Sequence, residues 1–130
     1  MSLSSARDRG SASHGYILIV DDDPNVRDVL HEYLSAAGYD VEIVGTAAAA
    51  LTAIGARLPD VVLLDLRMPG ALGGEAVVGP IAKKVPVIVI TGEIEVELKQ
   101  QTLRDGAFEV LEKPFDLARV RQTIAAAMLR

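Results

Sequence analysis

The sequence predicts an α/β fold in which five parallel strands form one sheet with helices on both faces. Three observations carry the prediction. Short apolar runs alternate five times with stretches of helical spacing, the links between them are short, and four of the five runs lead directly into polar residues. Because strand-to-strand crossovers are right-handed, such a sheet collects the carboxyl ends of its strands along one edge. That edge is where open α/β sheets bind ligands.

Composition fits this class. The chain has 130 residues, half of them hydrophobic, with few aromatics and many small aliphatics. One domain with a proper core is expected at that length. A net charge of -5 argues against a nucleic-acid surface of its own. The absence of cysteine removes disulfides, thiolate metal sites and thiol nucleophiles together. No apolar run approaches the roughly 18 residues that span a bilayer, and the start of the chain lacks the apolar core of a secretion signal. A soluble cytoplasmic protein is the expectation.

Residues 1–15 hold five serines and two glycines with one large aliphatic, Leu3, and are expected to be a disordered tail. The domain proper is assigned to residues 16–130. YILIV, residues 16–20, is the first strand, and Asp23-Pro24 after it is a helix start, since aspartate caps and proline suits the first turn. Val26, Val29, Leu30, Tyr33, Leu34 and Ala37 then form one stripe, closed by Gly38. His31 falls off that stripe and is read as a surface side chain.

Residues 40–44 form the second strand, and Thr46 caps the alanine-rich helix of residues 47–56. Val61 to Leu64 is the central buried strand, ending in Asp65 before a Met-Pro-Gly turn. The following stretch carries Gly73, Gly74 and Gly79-Pro80, so a short or broken helix is expected there. Residues 85–90 form the fourth strand, leading into Thr91. A polar helix over residues 95–105 has a thin stripe of Val96, Leu98 and Leu103 and stops at Gly106. Residues 108–111 form the fifth strand, ahead of Lys113 and Pro114, and residues 116–129 the last helix, with Leu117, Val120, Ile124, Ala127 and Met128 inward.

Asp21, Asp22, Asp65, Thr91 and Lys113 therefore gather at one edge. Three carboxylates, a hydroxyl and an ammonium make a hard, oxygen-rich pocket of the kind Mg²⁺ prefers. Two carboxylates ~4 Å apart repel by about 1 to 4 kcal/mol, so a cation is expected. A carboxylate held there can attack a phosphoryl group, while the ammonium and hydroxyl hold the phosphoryl oxygens.

The motifs IVDDDP, LLDLRMPG, VIVITG and LEKPF, in that order and each at a strand end, resemble the receiver domain of two-component response regulators over almost the whole chain from Tyr16. The resemblance implies the flavodoxin-like (βα)5 fold with strand order 2-1-3-4-5. It further implies that Asp65 is the phosphoacceptor, charged by a sensor histidine kinase or phosphotransfer protein. Asp22 and Asp65 would be direct Mg²⁺ ligands, Asp21 one through water, and the backbone carbonyl of Arg67 another. Thr91 and Lys113 would sense and hold the phosphate. A cis Lys113-Pro114 bond is implied, as is docking or homodimerisation through the fourth helix, fifth strand and fifth helix. Self-catalysed phosphotransfer is expected rather than enzymatic turnover.

Three features depart from the family pattern. Val110 replaces the usual switch aromatic, and Phe108, two residues earlier and so on the same strand face, is a candidate substitute. The third helix region is short and glycine-rich. Arg67 and Glu93, two residues past Asp65 and Thr91, stand where the family tunes phosphate lifetime. A receiver-like module that signals without phosphorylation is the alternative, encouraged by Val110. A Mg²⁺-dependent phosphohydrolase lacks a second acid for the leaving group, and DDDP after the first strand excludes a glycine-rich dinucleotide turn. The chain ends with the fifth helix, which is compatible with a stand-alone receiver or a piece of a longer regulator.

Overall fold

In the computed structural model, which describes residues 13–68 and 73–129, the strands β1 (Tyr16–Val20), β2 (Asp40–Val44), β3 (Val61–Leu64), β4 (Val87–Thr91) and β5 (Glu109–Glu112) form one sheet. All neighbours are parallel and the order is β2-β1-β3-β4-β5, the flavodoxin-like arrangement. The helices are α1 (Pro24–Ala36), α2 (Ala47–Ala56), α3 (Glu75–Ala82), α4 (Val96–Arg104) and α5 (Leu117–Met128).

Alternating residues of the central strands point to opposite layers, so the core is double. Ile17, Ile19, Leu63, Ile88 and Ile90 pack with Leu30 and Leu34 of α1 and Val120 and Ile124 of α5. Leu18, Val62, Leu64, Val87 and Val89 pack with Ala50 and Ile54 of α2, Val78 and Ile81 of α3 and Leu98 of α4. Burial on both faces is what unbroken apolar strands demand.

The helix starts follow from local chemistry. Asp23 accepts a hydrogen bond from the Asn25 amide at 3.0 Å with Pro24 in the first turn, Thr46 accepts from Ala49 at 3.0 Å, and Asp116 accepts from Ala118 at 2.9 Å. Gly38, at φ +101°, takes the left-handed position just past α1.

Several expectations are corrected. Residues 13–15 belong to the fold, because the His14 amide donates to the Gly38 carbonyl at 2.8 Å and its ring meets Tyr39 edge-on. Residues 1–12, like the turn residues Pro69 and Gly70, lie outside the described residues. Helix α3 is short, as expected, but Gly79 and Pro80 lie inside it rather than interrupting it, and Gly73 and Gly74 precede it. Strand β4 begins at Val87, since the Val85 amide still bonds back to Ile81 at 3.0 Å, and it includes Thr91. Strand β5 runs one residue later than expected, over Glu109–Glu112.

The stripe on α4 is also different: Val96 and Leu103 are 65 % and 41 % exposed, and Thr102 is buried in their place. The Thr102 hydroxyl donates to the Leu98 carbonyl at 2.7 Å, so its burial leaves no polar group unpaired. Val29 of α1 is likewise exposed, at the margin of its stripe. His31 is a surface side chain, as expected.

Candidate functional site

Chain order reverses between β1 and β3, and the site lies at this switch. The register pairs Val20 with Leu64, so the next residues, Asp21 and Asp65, emerge side by side. Backbone bonds fix both: the Asp21 amide donates to Val44 at 3.1 Å and the Asp65 amide to Val20 at 2.8 Å. Strand β4 carries Thr91 to the same edge, and its register with Glu112 leaves Lys113 as the next residue of the neighbouring chain segment. The Lys113 amide donates to the Thr91 carbonyl, at 2.6 Å, and the Lys113-Pro114 bond is cis.

Oxygens of Asp21, Asp22 and Asp65 all lie within 4.8 Å of one another. Asp21 and Asp65 are buried, at 0 % and 4 % exposure, and Asp22 is exposed. Lys113 Nζ reaches over both buried acids, 2.9 Å from Asp21 Oδ2 and 3.1 Å from Asp65 Oδ2. The contact with Asp65 is a hydrogen bond. That with Asp21 has ion-pair distance without hydrogen-bond alignment, and Asp21 Oδ2 has no hydrogen-bond partner among the described residues. Asp21 Oδ1 accepts from the Asp23 amide at 2.9 Å, and Asp65 Oδ1 from the Arg67 amide at 3.1 Å. Each oxygen of Asp65 thus accepts one hydrogen bond, which fixes the carboxylate and leaves lone pairs free.

Electrostatics follow burial. Burial pushes the Asp21 carboxyl above the usual carboxylate range, and the Asp65 charge adds to this, while the Asp23 amide and Lys113 pull it partly back. Burial lowers the Lys113 ammonium, but Asp21 and Asp65 outweigh it and hold the group above the ordinary lysine value. The lysine therefore stays charged at neutral pH. The Thr91 hydroxyl, 1 % exposed, has no hydrogen-bond partner among the described residues. A buried hydroxyl left without a hydrogen bond is costly, and such cost concentrates at working sites.

The donor set suits a hard cation. It is all oxygen, converging and partly open, with a buried carboxylate oxygen that is ion-paired with Lys113 but accepts no hydrogen bond, and among the described residues it is the one cluster of three or more acids, histidines or cysteines so placed.

Two further features escaped the sequence reading. A Cβ on Gly74 would stand 2.6 Å from both the Asp65 carbonyl oxygen and the Leu66 Cα, so only glycine lets the start of α3 pass against the Asp65–Leu66 backbone. The glycine pair after the turn was the signal for this, though it was read only as a helix breaker. The Arg67 guanidinium donates to the backbone carbonyl of Glu93, linking the segments that follow β3 and β4. Phe108 does not stand in for the switch aromatic. It packs with the α1 and α5 layer, whereas Val110 is buried in the opposite layer, because regular alternation begins only at Glu109.

Fold and pocket together define a doubly wound domain with an acid-and-lysine site at its sheet edge. Residues 17–125 match the response regulator receiver domain, and the chain belongs to that family. It is 36 % identical over 106 residues to the DNA-binding transcriptional regulator NtrC of Escherichia coli K12, covering 79 % of this chain and 22 % of that protein. To the C4-dicarboxylate transport transcriptional regulatory protein DctD of Pseudomonas aeruginosa it is 41 % identical over 101 residues, covering 76 % and 22 %. The chain thus spans about a quarter or less of the length of these regulators. The receiver domain of NtrX from Brucella abortus superposes with a TM-score of 0.81 at 34 % identity, covering 87 % of this chain and 98 % of that one. Among the described residues no helix is long and apolar enough to cross a membrane.

Proposed function

We propose that Asp65 accepts a phosphoryl group from a histidine of a partner kinase or phosphotransfer protein, and that the phosphorylated domain shifts to a conformation with altered affinity for its target. A carboxylate oxygen of Asp65 forms the new O–P bond as the donor's N–P bond breaks, and the freed imidazole takes a proton from water. Lys113 holds a phosphoryl oxygen by charge, and the Thr91 hydroxyl donates to another. The observation that carries this reading is Lys113 Nζ poised within 3.1 Å of both buried acids, in a pocket where the Thr91 hydroxyl has no hydrogen-bond partner among the described residues.

Asp21, Asp22, Asp65 and the Arg67 carbonyl would hold Mg²⁺. Bound there, the ion supplies positive charge that offsets the clustered acids and the incoming phosphoryl oxygens. The domain works in the cytoplasm, carries its phosphate once per signal and removes it by its own hydrolysis, so it is not a turnover enzyme. An open apolar groove of about 470 Å³, lined by Val26, Val29, Pro114 and Phe115 and bordered by Lys113, is the surface a donor helix would approach over. The face of α4, β5 and α5 serves the target or a second copy.

Incubation with Mg²⁺ and acetyl phosphate tests the reading. Wild type is expected to gain one phosphoryl group by intact mass, and Asp65→Asn none; uptake by neither would refute it. Val110, which removes the ring half of the usual switch, favours the second reading of a phosphorylation-independent module. That reading predicts target binding unchanged by Asp65→Asn.

A further inference from the structure

The segment after β4 is tied down from two sides. Beneath it, Ile94 packs against the core layer that contains Val110, with no aromatic ring to stand in an alternative position. Above it, Arg67 crosses from the acceptor segment. Its guanidinium donates to the Glu93 carbonyl and passes Gly92 closely enough that a Cβ there would lie 3.9 Å from Nη1. Just before these ties stands Thr91, whose carbonyl is held by the Lys113 amide while its hydroxyl has no hydrogen-bond partner among the described residues. The backbone of residues 92–95 contributes no strand pairing. The Glu95 carbonyl is held by the Lys99 amide of α4 at 2.9 Å, but among the described residues no backbone hydrogen bond fixes residues 92–94, whose position therefore depends on side chains, and the arginine is the charged one.

We infer that Arg67 is a latch: from the acceptor segment its side chain holds residues 92–95 in the resting position and so sets how readily Thr91 reaches a phosphoryl group on Asp65. The inference deepens the phosphoacceptor reading and rests on it for the last step only. A side chain that favours one of two conformations lowers the apparent affinity of whatever binds the other. Arg67 is a positioning residue here, acting through the Glu93 backbone. A carbonyl partner is insensitive to the identity of residue 93, so Glu93→Gln leaves the latch intact, whereas a charge pair between the two side chains would be lost.

The test compares wild type, Arg67→Ala, Arg67→Lys and Glu93→Gln. Arg67 is exposed, so the variants are expected to fold. Amide hydrogen exchange of residues 92–95 is measured without phosphodonor, and the midpoint for beryllofluoride, a phosphoryl mimic, is measured with Mg²⁺. In Arg67→Ala exchange should rise about five- to tenfold and the midpoint should fall by a similar factor, the size one exposed charge-assisted hydrogen bond carries. Arg67→Lys should lie between, and Glu93→Gln should match wild type. Unchanged exchange in Arg67→Ala overturns the latch, as does raised exchange with an unmoved midpoint. If wild type binds neither beryllofluoride nor phosphate, the phosphoacceptor reading fails, and exchange alone still decides whether Arg67 holds the segment.

Discussion

The two edges of the sheet are built on opposite terms. At the amino-terminal edge, charged and polar groups are matched: the Tyr16 hydroxyl donates to Glu42, Asp60 Oδ2 accepts from the Tyr16 amide at 2.7 Å, and Arg57 pairs with Asp40 at 2.9 Å while its guanidinium lies 3.8 Å over the Tyr16 ring. At the carboxyl-terminal edge, acids crowd together, and among the described residues Asp21 Oδ2 and the Thr91 hydroxyl are buried without hydrogen-bond partners. The same strands produce both edges. The difference separates an end whose polar groups are matched from one that leaves some of them without hydrogen bonds.

Substitutions can break or sharpen this contrast. The largest effect is expected from Gly74→Ala, whose Cβ would meet backbone of the acceptor segment at 2.6 Å. Backbone cannot step aside as a flexible side chain does, so a cost of about 1 to 3 kcal/mol and phosphorylation slowed by about tenfold or more are expected, read by urea melts and acetyl phosphate labelling. Wild-type values for both would mean that the acceptor segment is less tightly fixed than described.

Next, Asp21→Asn should stabilise the domain without Mg²⁺ by about 1 kcal/mol, because burial and the neighbouring Asp65 charge disfavour the ionised Asp21 carboxyl. The sign follows from proton binding. The folded state binds the Asp21 proton more tightly than the unfolded state, so stability falls as pH rises from the ordinary value of 3.8 through the raised one. The variant should flatten that slope, and it should also weaken the rise in Tm that Mg²⁺ gives wild type. A destabilised Asp21→Asn would place this acid among the matched groups instead.

At the opposite edge, Tyr16→Phe should cost about 1 kcal/mol with phosphorylation unchanged. Burial, with the Glu42 hydrogen bond adding to it, pushes the Tyr16 phenol up to about 12. Its contribution is therefore fully present below the ordinary value of 10 and lost as pH rises toward 12. Alkaline melts of the two proteins should converge over that window. The smallest effect on chemistry belongs to exposed Val29: Val29→Glu should leave acetyl phosphate labelling intact and slow transfer from a kinase, as expected if the apolar groove guides only a protein donor.

Much of this was legible in the chain. The strand-end residues Asp21, Asp22, Asp65, Thr91 and Lys113 were found because apolar runs mark strands and parallel topology gathers their ends. What escaped was contact-dependent. Thr102 replaced Leu103 as the buried side chain of α4, since a hydroxyl bonded to its own helix behaves as a small apolar group, and spacing does not reveal that bond. Phe108 was put on the wrong layer because period two holds only inside a strand, and the strand begins one residue later. The closeness of Gly74 to Asp65 and the reach of Arg67 to Glu93 depend on how two segments cross, which local patterns do not encode.

The most direct measurement traps the phosphate where it sits. After labelling with acetyl phosphate and Mg²⁺, borohydride reduces an acyl phosphate to the alcohol, converting the acceptor aspartate to homoserine, and peptide mass mapping locates it. Homoserine at position 65 alone is the predicted result. Homoserine at position 21 or 22, or a phosphorylated protein that yields none, would contradict the assignment of the carboxyl-terminal edge as the site where Asp65 takes up phosphate.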